Sequence, residues 1–200
     1  MHKKAWTFLG SPRVFLCKSP FICYDEAKEN LGKGEFMKLY IKEELFQTFP
    51  RFIVKDENGN DKYDVHTKPA TVQVGLKLHI CDMAGRELAF LDQKALSLQA
   101  TFRLHVGGEL RATIAKKFTL LKPRYEVKEL GWTVQGDFIA HDYTVSDQTG
   151  IIAVIRKELF SWGDSFVLDL ADEAHELEAL AVVFAIDCVV DAQGNGITIK

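Results

Sequence analysis

Cysteine is scarce in this 200-residue chain: Cys17, Cys23, Cys81 and Cys188 are irregularly spaced and form neither a disulfide framework nor a Cys-x-x-Cys zinc site. A reducing, cytoplasmic setting is expected. Charge of one sign is lacking too. The formal net charge is −3, which excludes general attraction to nucleic acid, so electrostatic binding must come from a local patch. Long hydrophobic runs are missing: Ala179 to Ile186 is unbroken but falls well short of the roughly 18 to 20 residues that cross a bilayer. Near the N-terminus, Pro12, Lys18 and Pro20 interrupt the apolar stretches and argue against a signal peptide. A phosphate loop, a Gly-x-Ser-x-Gly elbow and a His-Glu-x-x-His pair are all absent, so no catalytic residue, cofactor or metal ligand is assigned.

What the chain does have is ordered apolar material, 47% of the total, enough for one sizeable core. Leu177 to Val190 leaves almost no polar face. Asp172 is a plausible N-cap, and Glu173 and Glu176 suit the first turns of a helix. A helix over about 173–190 that is apolar all round belongs inside something. Residues 1–36 carry Pro12, Pro20 and Gly32-Lys33-Gly34 with no sustained period. They are expected to be a poorly structured extension, with Met37 as the native start and 37–200 as the folded domain.

From Met37 to about Leu170 apolar residues recur at every second position, the mark of half-buried antiparallel strands. Leu96, Leu98, Ala100, Phe102 and Leu104 read as one strand. Leu110, Ala112 and Ile114 read as the next, and a shared inward face requires Leu104 opposite Ala112, with Gly107-Gly108-Glu109 as the loop. A weak repeat, apolar-x-Asp-x-x-Gly, appears at Val54 to Gly59, Ile80 to Gly85 and Val145 to Gly150. It is the chemistry of a tight turn: Asp bonds back to the backbone and Gly accepts positive φ. Many hairpins followed by one wholly apolar helix are best accommodated by closing the sheet around the helix, which hides the sheet edges and the helix together. The expected fold is mainly β: a closed antiparallel barrel around a central C-terminal helix.

Phe52 to Gly59, Ile80 to Gly85, Gln93 to Leu98, Ala112 to Lys117, Val145 to Lys157 and Ala179 to Asp187, in that order, resemble the LURP-one-related (YxjI-like) family. The Tubby C-terminal domain and the phospholipid scramblases are more distant relatives. The resemblance covers about Met37 to Val190. It implies a twelve-stranded barrel with a central helix and little about activity. Tubby-like domains bind phosphoinositide headgroups through basic residues, and scramblases are associated with membrane lipid and calcium.

Six bases, Arg111, Lys116, Lys117, Lys122, Arg124 and Lys128, stand against the single acid Glu126 between Leu110 and Lys128, a local charge of +5. Arg111, Lys117, Lys122 and Arg124 are therefore the candidate site for an anionic lipid headgroup or membrane surface. An ordinary solvated hairpin with basic edge protection is the plainer reading. The leading expectation is a non-enzymatic, cytoplasmic binding module, peripheral at the membrane. The alternative is a scaffold that binds a protein partner through its barrel surface. Asp56 to Asp61 looks superficially like an EF-hand, but the sixth position is Asp61 rather than Gly and the twelfth is Thr67 rather than Glu. Asp187, at the end of an apolar helix, must be solvated at the barrel mouth or paired with a base.

Overall fold

Two-residue alternation gives each strand an inward and an outward face, and the inward faces are the core. The computed structural model describes residues 36–44, 49–67, 75–117, 123–160 and 163–194. The strands are β1 (Met37–Glu43), β2 (Arg51–Lys55), β3 (Asp61–His66), β4 (Lys77–Asp82), β5 (Glu87–Gln93), β6 (Thr101–Val106), β7 (Glu109–Lys117), β8 (Arg124–Val127), β9 (Trp132–Asp137), β10 (Asp142–Ser146), β11 (Ile151–Phe160) and β12 (Gly163–Leu170). Each pairs antiparallel with its chain neighbours, and β1 closes the ring on β12, with Leu39 opposite Leu168. A short 3-10 turn (Glu173–His175) leads into the single α-helix among the described residues, α1 (Glu176–Gly194). Asp172 caps that turn, its carboxylate accepting from the Ala174 N–H at 2.9 Å.

The lumen is filled by the helix. Every residue from Ala179 to Ile186 is wholly buried, against inward pairs such as Leu39 and Ile41, Phe102 and Leu104, and Ala112 and Ile114. The helix enters at what we term the proximal mouth, beside the β12 end at Leu170, and leaves at the distal mouth, beside Glu43.

Hairpin turns crowd the proximal mouth. Asp56, Asp82 and Asp147 each accept backbone N–H bonds through Oδ1, from Asn58 and Asn60, from Ala84 and Arg86, and from Thr149 and Gly150. A register shift lies just before each turn, at Val54/Lys55, Ile80/Cys81 and Val145/Ser146. The extra residue is taken up by a bulge, and at the first two turns a glycine at φ +82° or +80° completes it.

Two expected details change. Leu104 does face Ala112, but a bulge at Leu104/His105 puts Val106 opposite Glu109, so the loop shrinks to Gly107-Gly108. With φ of +60° and +85°, that pair forms the mirror-image turn that suits the twist of a two-residue hairpin. Leu110, beside the slip, is left 48% exposed at the proximal mouth. The other change concerns β6, which begins only at Thr101: β5 ends at Gln93, opposite Phe102, so earlier residues have no ladder to join. Leu96 and Leu98 keep the alternation but are 94% and 109% exposed.

Candidate functional site

Strand β7 runs the height of the barrel and carries Arg111 near its proximal end and Lys117 at its distal end. Six residues at about 3.3 Å each separate them by roughly 20 Å. Arg111 and Lys117 therefore do not converge, and Arg111 is engaged at the proximal mouth. Its Nε donates to Glu178 Oε1 at 2.6 Å, and this bond is the main reason its guanidinium pKa rises. Lys62 similarly approaches Glu176 at 2.7 Å. Both acids are buried in the first turns of α1. Together with Tyr63, Glu109, Leu110 and Glu173 they line a proximal-mouth cavity of about 590 Å³. Its carboxylates outnumber its bases, the wrong balance for an anion.

At the distal mouth, Lys117 and Arg124 are adjacent in register and share Glu126, at 2.7 and 3.0 Å. The hydrogen bond from Lys117 holds the Glu126 carboxyl below its ordinary range. Lys122 lies outside the described residues. Lys116 has the lumen-facing parity of Ala112 and Ile114 and opens onto this mouth. Sequence reasoning missed what stands beside these bases. The segment from Lys94 to Ala100 joins β5 to β6, and its end is tied to β7 by the bond from the Lys116 N–H to the Ala100 carbonyl, 3.0 Å. Lys94, Leu96 and Leu98 on it are exposed, as are Phe49 and Ile139 on the more distant β1–β2 and β9–β10 turns of the same mouth. No local signal in the sequence marks them, because the break in pairing after Gln93 exists only once the strands are in place.

The opposite side of the distal mouth is acidic. Asp187 is buried, 3% exposed, and among the described residues the base beside it is His141, whose Nε2 is 3.8 Å from its Oδ1. Burial pushes its carboxyl up to about 8, and Asp191 and Glu43 add like-charge repulsion. Burial also raises Glu43 and Asp191, with Asp191 adding to the shift on Glu43. His141 stacks on Phe166 with centroids 4.1 Å apart, and burial, followed by the Lys157 charge, lowers its pKa. Elsewhere on the barrel, His79 is engaged by Glu87 at 2.7 Å.

A closed antiparallel barrel whose lumen is filled by its C-terminal helix defines the class of fold. The LURP-one-related family model matches residues 37–187. The chain belongs to the LURP-one-related family. It is 26% identical over 154 residues to YxjI of Bacillus subtilis (strain 168), covering 77% of this chain and 94% of that protein. An X-ray structure of an Arabidopsis thaliana protein shares the fold with a TM-score of 0.53 at 16% identity, covering 78% of this chain and 92% of that one. Among the described residues no helix is long and apolar enough to cross a membrane.

Proposed function

We propose that this chain is a non-enzymatic binding module that engages an anionic membrane surface with the β5 to β8 side of its distal mouth. The observation that carries the reading is the pairing of nearly fully exposed Leu96 and Leu98 with Lys94, Lys116, Lys117 and Arg124 on adjoining segments. Exposed leucines cost a soluble barrel surface tension with water, and they gain most where they can enter the acyl boundary while neighbouring cations meet headgroups. Each such base contributes about 1 kcal/mol near an anionic leaflet. The central helix occupies the interior in which a barrel enzyme or carrier would hold its ligand. Kinship with lipid-associated families points the same way, by resemblance.

A protein-binding scaffold is the second reading, favoured by Glu126, which already offsets part of the charge on Lys117 and Arg124. Co-sedimentation of the full chain with phosphatidylcholine vesicles and with phosphatidylserine-containing vesicles, at low and physiological salt, separates the two. Binding confined to the anionic vesicles and weakened by salt supports the membrane reading. Equal binding to both, or none, rejects it in favour of a protein partner.

A further inference from the structure

Alternation along β1 turns Leu39 and Ile41 inward, and the same parity turns Glu43, its last residue, toward the lumen at the distal mouth. On α1, Asp187 and Asp191 are four residues apart and so share a face. One carboxylate oxygen from each of the three residues lies within 4.8 Å of the others. Among the described residues, no Lys or Arg forms an ion pair with any of them.

Acids grouped at a surface would be unremarkable, but the polar atoms behind these three are buried and unsatisfied. Asp187 Oδ2, the Tyr143 hydroxyl and His141 Nδ1 are all sealed from solvent without a hydrogen-bond partner, although buried polar atoms are almost always paired. Tyr143 is 2% exposed and feels the Asp187 charge. Its strand position is fixed by close approach: any side chain on Gly136 would meet the Tyr143 backbone at 2.3 Å. The C-terminal turns of α1 add the negative end of the helix dipole and carbonyls with no partner further along the helix. The groups converging here are mainly oxygens, and the nearby positive charge is that of Lys157, felt at His141.

We propose that Glu43, Asp187 and Asp191 form a binding site for a hard divalent cation, with calcium as the fitting size. Oxygens on opposite sides of a calcium ion are at most about 5 Å apart, twice its ligand distance, whereas magnesium draws them to roughly 4 Å in strict octahedral geometry. Three carboxylates supply up to six oxygens, and Asp191, which is exposed, leaves room for water and a route in. The site joins the end of the first strand to the end of the helix, so an ion there would clamp the distal mouth. It does not depend on the membrane reading.

Calorimetric titration of the chelator-treated full chain with calcium chloride, and separately with magnesium chloride, is the direct test. Saturable calcium binding is expected at one ion per chain, in the range of about 10⁻⁵ to 10⁻³ M typical of open oxygen sites, with magnesium weaker. Asp191→Asn, at an exposed position where folding is safe, and Glu43→Gln should each weaken it at least tenfold. Thermal unfolding with and without calcium gives a second readout: Tm should rise for the parent chain and stay put for the variants. Absence of calcium heat and of any Tm shift overturns the proposal, and so does binding of equal strength in the variants.

Discussion

Phe184 of α1 lies against Phe52 of β2, with ring centroids 4.9 Å apart and planes tilted by 34°. Both side chains are wholly buried. This contact ties the helix to the wall of the barrel near the strand that pairs with β1, and a helix that is apolar all round has many such contacts and no solvent face to give way. Phe184→Ala leaves a void on all sides and is expected to destabilise the fold by about 3 to 5 kcal/mol. Urea unfolding followed by tryptophan fluorescence measures this; a loss under about 1 kcal/mol would mean that the helix is not the core.

Glu178 is buried and has Arg111 as its bonded cation. Arg111→Ala should lower Tm because it strands the carboxylate, and Glu178→Gln in the same background should recover most of the loss, since the neutral amide needs no counter-charge. The same Arg111→Ala variant should sediment with anionic vesicles as the parent does, because Arg111 stands at the other mouth. Parallel loss of stability in the single and double variants would show that packing, not charge, is what Arg111 supplies.

Leu96 and Leu98 are exposed, so Leu96→Ser with Leu98→Ser should leave stability within about 0.5 kcal/mol of the parent. Vesicle binding should fall. Lys117→Glu replaces a headgroup partner with a repelling charge, worth about 2 kcal/mol at about 1 per charge, or roughly thirtyfold in affinity. Circular dichroism melts alongside the sedimentation assay distinguish lost binding from lost fold. A double serine variant that binds as well as the parent would remove the leucines from the interface.

Local rules made most of the barrel legible. The opposition of Leu104 and Ala112, the Asp and Gly turns and the buried helix each follow from spacing within a few residues. What stayed hidden depends on distance in sequence. Arg111 and Glu178 are 67 residues apart, and their bond exists only because the helix re-enters the barrel beside the β6–β7 turn. Glu43 meets Asp187 and Asp191 only when the ring closes, so an inspection for contiguous acidic motifs passes over them. Leu96 and Leu98 misled in the other direction: alternation is necessary for a half-buried strand but becomes structure only where a neighbour supplies the ladder.

Asp187 should give the fold an unusual pH dependence when divalent ions are chelated. In the unfolded chain its carboxyl ionises near pH 4, but burial keeps it protonated in the folded state up to about 8. Between those values the folded state holds the extra proton, so this group's contribution to stability is fullest at low pH and declines as pH rises toward 8, at up to about 1.4 kcal/mol per pH unit. Glu43 and Asp191 are shifted the same way. His141, whose pKa is lowered, acts oppositely, costing stability below its unfolded pKa of about 6.5, where the unfolded ring is charged. The window between about pH 6.5 and 8 therefore isolates the carboxylates, since Tyr143 stays neutral throughout. Urea midpoints in chelator should fall across that window for the parent chain, and Asp187→Asn, which holds no proton to lose, should flatten the decline. A parent profile already flat from pH 6.5 to 8 would mean that Asp187 is ionised in the folded state, with water reaching it at the distal mouth.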